Sequence, residues 1–219
     1  MSKLVIFGAG DIAKLAHFYF SNDSDHEVVA FTVHEKYLVK DTFCGLSVIP
    51  FEPVRDIAPP SEHSMFVALS YAKMNSIRTS VCSQAKEHGY QLESYISSRC
   101  TVLTDATFGE NCFILEDNTI QPFTQIGSNV TLWSGNHIGH DSVIEDNCFI
   151  TSHVVVSGNC TIKNSCFIGV NATLRNSITV GERSLIGAGA VIMKDTPAES
   201  VWIPERTKIF SKKSSQIDI

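Results

Sequence analysis

From Ile96 onward, every sixth residue is large and apolar, through Val102, Phe108, Ile114 and on without a slip to Ile186 and Ile192. Four residues after each lies a second inward position, and it is usually small: Cys100, Ala106, Cys112, Asn118, Thr124, Val130, Asn136 and so on to Ala190. One bulky and one small inward residue per six is the pattern of a hexapeptide β-helix, in which short strands form three flat walls and three hexads close one coil. The residue after the bulky one falls near a corner. Gly109, Gly127, Gly139, Gly169, Gly181 and Gly187 stand there, which predicts corners of positive φ.

Upstream the period changes. Leu4–Phe7 reads as a short buried strand running into Gly8-Ala9-Gly10, and Asp11–Phe20 has helical spacing. Glu27–Thr32 and Ser64–Leu69 read as further strands and Ile77–His88 as a helix, with a proline-rich loop over 52–63. Strands alternating with helices predict a small Rossmann-like parallel α/β domain over residues 1–93. The coil domain then spans 94–195. Residues 196–219 form a tail, loose over Lys208–Ser215.

Composition narrows the function. Among 219 residues, acidic side chains exceed basic ones by six, so a nucleic-acid partner is excluded for want of clustered Lys and Arg. No apolar run reaches the ~18 residues of a membrane span, and no signal peptide precedes the first strand, which predicts a soluble cytoplasmic protein without a membrane partner. Seven cysteines without a C-x-x-C pair argue against disulfides and zinc ribbons, and five of them occupy the small inward row.

Two places carry candidate chemistry. Gly8-Ala9-Gly10 lies between a strand and a helix, where backbone amides can hold a phosphate, although the acidic residue that would grip a dinucleotide ribose is missing from the end of the second strand. In the coils, Trp133, Asn136, His137, His140 and Asp141 cluster, with His153 one wall further on. His140 points outward beside a carboxylate, the arrangement of a general base. Zinc held by the histidines is a competing reading, and a surface histidine the bland one.

The coil segment resembles the left-handed parallel β-helix acyltransferases. The whole chain resembles the bacterial sugar acyltransferases that acetylate nucleotide-linked amino sugars, and the sialic acid O-acetyltransferases, through the repeats and His140-Asp141-Ser142-Val143-Ile144. The resemblance implies acetyl-CoA as co-substrate, no metal, His140 as base and Asp141 as its support. It implies a homotrimer with active sites between subunits, and acetyl-CoA along Gly158, Asn159, Val170, Asn171 and Gly187-Ala188-Gly189. The nucleotide of the sugar would lie on Gly8, Ala9 and Gly10 and on Leu69-Ser70-Tyr71. The low positive charge leaves only local cations such as Lys194, Arg206 and Lys208 for a polyanionic cofactor. This chain departs from the family at Gly10-Asp11-Ile12-Ala13 in the first loop, at Phe149, where a second histidine is usual, and at Thr32–His34, where an acidic pair is usual. Trp133, Asn136 and His137 are the expected replacements for the lost acceptor contacts. The implied activity is N-acetylation of a nucleotide-linked amino-deoxy sugar in surface glycan (O-antigen) synthesis; O-acetylation of a sugar hydroxyl and a non-catalytic nucleotide-binding solenoid are the alternatives.

Overall fold

The structure, a computed structural model, describes residues 2–103, 105–209 and 211–217. Its N-terminal sheet holds β1 (Ser2–Phe7), β2 (His26–Val33), β3 (Thr42–Phe43), β4 (Leu46–Pro50) and β5 (His63–Val67), in the order β3-β4-β2-β1-β5. All neighbours are parallel except β3 and β4. Helix α1 (Asp11–Asn22) follows β1, the short α2 (Val54–Ile57) lies inside the stretch expected to be loop, and α3 (Ser76–Glu87) follows β5. The β3–β4 hairpin was not expected: β3 has two residues, and Leu46, Val48 and Ile49 of β4, which pack on the cores, lie in a run too short to set a period. Chain direction reverses at β1, and such a switch point opens a crevice beyond the strands' carboxyl ends.

Two-residue strands then recur every six residues and stack into three parallel walls. The first wall runs from Tyr95–Ile96 through Phe113–Ile114, Thr131–Leu132, Phe149–Ile150 and Phe167–Ile168 to Leu185–Ile186. The second contains Thr119–Ile120, His137–Ile138, Val155–Val156 and Val191–Ile192, and the third Gln125–Ile126, Val143–Ile144 and Thr161–Ile162. Partners are eighteen residues apart, one full coil. Val201–Trp202 pairs with Leu185–Ile186, so the first wall continues past residue 195. In the tail, Lys208, Ile209 and 211–215 are exposed, and Phe210 lies outside the described residues.

The bulky row fills the prism from Ile114 to Ile192. The small row contributes more than volume. The thiols of Cys112, Cys148, Cys160 and Cys166 donate to the carbonyls of Gly127, Lys163, Arg175 and Gly181, fifteen residues on, at 3.1–3.2 Å. Ser142 does the same to Ser157. A small polar side chain thus satisfies a corner carbonyl that the ladder leaves unpaired.

The corners work differently from the expectation. Positive φ falls three residues after the bulky one, at every sixth residue from Asp105 to Gly189, and Asn, Asp, Ser and Gly dominate there. The glycines one residue after the bulky one do not have positive φ. They are small because the next coil crosses them: a Cβ on Gly139 would come 2.5 Å from the amide nitrogen of Gly158.

The α/β domain straddles the first wall. Tyr95, Phe113 and Leu115 join its core, Trp133 packs at the edge, and Tyr71 lies against Phe149 and Phe167. At the corner between the third and first walls, Asn111 accepts the Val67 amide at 2.8 Å. There α3 buries Arg78, whose guanidinium donates to the carbonyls of Asn129, Asn147 and Cys148 and lies over the Phe149 ring. Burial lowers its pKa to about 10, leaving it charged at neutral pH. At the other edge, between the first and second walls, Glu116 accepts from Tyr19 and Ser134.

Candidate active site

The corner between the second and third walls is the one the α/β domain does not touch, and it carries His140 and Asp141. His140 opens the turn that Asp141 completes, its side chain half exposed. Nδ1 lies 2.7 Å from Asp141 Oδ2. An ionised carboxylate only accepts, so Nδ1 carries the proton and Nε2 is left as a base. Asp141 stands at a left-handed corner with φ 55°, a conformation that aspartate tolerates. The His140 amide donates to Gln121 Oε1 at 2.9 Å, the Asp141 amide to the Pro122 carbonyl at 3.2 Å, and the His140 carbonyl accepts from Asn159 at 2.8 Å. Both neighbouring coils therefore fix the dyad. The imidazole leans over Gly158, where a Cβ would come 2.6 Å from Nε2.

A cleft of about 720 Å³ opens at the switch point of the α/β domain, between the loops after β1, β2 and β5 and the outer face of α3. Gly8, Ala9 and Ser70 line it with His34, Lys36, Tyr37, Lys73 and Ser76. Gly8 has φ 126°, and a Cβ on it would come 2.8 Å from the Ala68 carbonyl oxygen, so the turn requires glycine. Gly10 caps α1. His34 is held by Glu52 at 3.0 Å. Bonds from the Glu35 amide and from His34 keep the Glu52 carboxyl below its usual range, overcoming partial burial.

The family description "Bacterial transferase hexapeptide (six repeats)" matches residues 123–158 and 159–194. The match covers the coils from Phe123 to Lys194. By sequence, no curated protein matches the chain. Three solved structures are similar over nearly its whole length. Perosamine N-acetyltransferase from Caulobacter crescentus, in complex with CoA and GDP-perosamine, is 20% identical with a TM-score of 0.81, covering 92% of this chain and 93% of its own. The acetyltransferase domain of PglB from Neisseria gonorrhoeae is 23% identical with a TM-score of 0.78, covering 92% and 96%. WeeI from Acinetobacter baumannii is 21% identical with a TM-score of 0.68, again covering 92% and 96%. These likenesses carry the fold, an α/β domain followed by a left-handed β-helix.

The hexapeptide columns place the remaining candidates. Gly158, Asn159 and Lys194 stack above His140 on its own corner, where Arg175, Asn176 and Lys194 line a groove of about 450 Å³. Val170, Asn171 and Ala188 are exposed on the corner between the first and second walls, across the second wall from His140. Arg206 is exposed on the segment after Trp202.

The expected acceptor contacts separate. Asn136 is buried inside the prism, 2% exposed, its amide donating to the Trp133 carbonyl and its carbonyl oxygen accepting the Val154 amide at 2.7 Å. It is an inward residue of the small row and reaches no ligand. Trp133 turns to the α/β domain, away from His140. His137 stands half-buried in the middle of the second wall, between Thr119 and Val155. Tyr71 closes the aromatic contact at Phe149, so the position of the family's second histidine is a packing site here.

His137, His140 and His153 lie on a wall and two different corners, and among the described residues no group of three His, Cys, Asp or Glu side chains is placed to hold a metal. Among the described residues, no helix is long and apolar enough to cross a membrane. Sequence reasoning missed Gln121, Arg175, Lys36 and Lys73. Gln121 and Arg175 were legible as members of the Gly139 column, at 121, 139, 157 and 175, beside His140's own; the lysines became site residues only when three loops converged.

Proposed function

We propose that this chain is an acetyl-CoA-dependent acyltransferase that acetylates the amino group of a nucleotide-linked amino-deoxy sugar. The observation that carries this reading is the His140 dyad, with Nδ1 bonded to Asp141 and Nε2 lying against Gly158 of the next coil. The likeness to acetyltransferases that bind CoA and GDP-perosamine supports the choice of substrates.

In the reaction, the sugar amine attacks the thioester carbonyl. A C–N bond forms, the C–S bond breaks, and the proton leaving nitrogen passes to His140 Nε2 and then to the sulfur of departing CoA. Asp141 stabilises the imidazolium, and such a base contributes about 10²- to 10⁴-fold in rate. The cations Arg175 and Lys194, above the base, supply the local charge for the CoA phosphates, which the negative chain does not provide elsewhere on that corner. The cleft at Gly8, Ser70, Lys36 and Lys73 takes the nucleotide diphosphate.

Within one chain, the cleft and the base are on different sides of the prism, because the α/β domain covers the first wall and His140 occupies the opposite corner. A second copy brings them together. Val155 and Val191 on the second wall, and Met193 at its edge, are exposed apolar side chains in position to pack against it. We infer a homotrimer with the site between subunits, working in the cytoplasm where nucleotide sugars and acetyl-CoA are made.

The test is incubation with acetyl-CoA and a panel of nucleotide-linked amino-deoxy sugars, read by mass. A gain of one acetyl group on an amino sugar is expected. Product only with hydroxyl acceptors would replace the reading by O-acetylation, and binding without CoA release would reduce the protein to a nucleotide-binding solenoid.

A further inference from the structure

Left-handed corners recur every six residues from Asp105 to Gly189, and their occupants follow chemistry. Asn, Asp, Ser and Gly adopt positive φ cheaply, because a short polar side chain can bond its own backbone and glycine has no Cβ. Three residues break the rule. His153 belongs to a type enriched in this conformation. Arg183 is held by Glu182 and Glu199. Phe123, with φ 65°, has neither excuse: its side chain is bulky and apolar, and the residue is 57% exposed. A phenyl ring held in a strained backbone and turned to solvent contributes nothing to this subunit's core.

Its position accounts for it. Phe123 lies eighteen residues before Asp141, one coil below it on the same corner, and the neighbouring Pro122 and Gln121 are the residues that bind the Asp141 and His140 amides. At strand spacing of ~4.8 Å per coil, the ring and Nε2, which leans to the coil above, are roughly 10 Å apart, the span of one pyranose with its linkage. Asp141 blocks the direct path between them with a carboxylate that is already engaged. Phe123 and His140 thus stand on one exposed corner, with the length of a pyranose between them.

We propose that Phe123 is an acceptor-specificity residue, whose ring packs on the apolar C–H face of the deoxy sugar while the sugar amine points at His140 Nε2. This rests on the acyltransferase reading and adds the sugar's chemical class. Hydroxyls removed from a pyranose leave C–H surface that aromatic rings bury favourably, whereas a fully hydroxylated sugar would lose hydrogen bonds to water against the same ring. The backbone strain at Phe123 is the signature of a residue kept for a ligand at the expense of stability.

The test compares wild type with Phe123→Asn, since asparagine is the commonest occupant of these corners, and with Phe123→Tyr. In Phe123→Asn, kcat/KM for the deoxy amino sugar nucleotide is expected to fall roughly ten- to hundredfold, with KM for acetyl-CoA unchanged, the molecular mass unchanged and Tm raised. Phe123→Tyr retains most activity. Preference for deoxy over fully hydroxylated amino sugars shrinks in Phe123→Asn and persists in Phe123→Tyr. Unchanged kcat/KM, a changed KM for acetyl-CoA, or a smaller assembly on light scattering would each overturn the proposal, the last by assigning the ring to subunit packing. If wild type acetylates no sugar nucleotide, the underlying acyltransferase reading fails instead, and the two failures are distinct.

Discussion

The imidazole of His140 occupies the space that a side chain on Gly158 would fill: a Cβ there would meet Nε2 at 2.6 Å and Cε1 at 2.8 Å. The imidazole is thus seated by an absence one coil above it. Gly158→Ala is expected to lower kcat at least about a hundredfold by displacing the ring, while the backbone, which does not have positive φ at this residue, folds normally. Steady-state kinetics with a melting curve checks it; full activity would show that the ring sits elsewhere in the working enzyme.

His140→Asn removes the proposed base and is expected to lower kcat by about 10²- to 10⁴-fold with CoA affinity and oligomer mass retained. Asp141→Asn keeps a residue suited to the φ of 55° but no longer fixes the proton on Nδ1. Its stability should match wild type while its rate falls. Calorimetry of CoA binding alongside kinetics separates the two effects.

We propose that no cysteine carries the acyl group. Cys112, Cys148, Cys160 and Cys166 are buried and donate to carbonyls within the prism, so none of them faces the site. A thiol reagent should modify Cys44 fast and the half-buried Cys100 slowly, with Cys82 and the four inner thiols reacting only on unfolding. Thiol counting on native protein reads this, and loss of activity in step with Cys44 modification would contradict it.

Asp23 joins the two domains, accepting from the Tyr95 hydroxyl at 2.6 Å and the Ser98 amide at 2.9 Å. Bonds from Ser98 and Tyr95 hold its carboxyl at about 2, below the ordinary 3.8. A depressed carboxyl stabilises the fold above its unfolded pKa, and that contribution disappears as pH falls from about 4 toward 2. Asp23→Asn should lose on the order of 1 kcal/mol at pH 7, discounted for its solvent exposure, and its stability should vary less with pH between about 4 and 2 than that of wild type. Denaturant melts at several pH values decide it.

Arg78 is the other tie. Arg78→Ala leaves the carbonyls of Asn129, Asn147 and Cys148 facing a void under Phe149, and should cost about 3 kcal/mol, roughly 6–12 °C in Tm. Arg78→Met, which keeps the volume and removes the cost of a buried charge, should fall less. Equal losses in both would show that the guanidinium bonds, not the packing, hold the domains.

Some of the tertiary arrangement left traces along the chain. Tyr95, Phe113, Phe149 and Phe167 recur at multiples of eighteen just before the bulky row, which marks the first wall as the covered one. The alternation of Asn and Asp three residues after the bulky row marks the true left-handed corners, and the conspicuous glycines drew the reading to the wrong column. The misreading has a physical cause: glycine serves two needs, positive φ and close approach, and composition does not distinguish them.

By itself, the sequence determined the β-helix, its inward rows, the parallel α/β domain before it, and the pairing of His140 with Asp141, because all of these depend on periodicity or on neighbours along the chain. Only the tertiary structure decided that Trp133 is spent at the domain contact and that the cleft and His140 lie on opposite sides of one subunit. Those outcomes depend on which outward faces find apolar partners, and a period of six is blind to that.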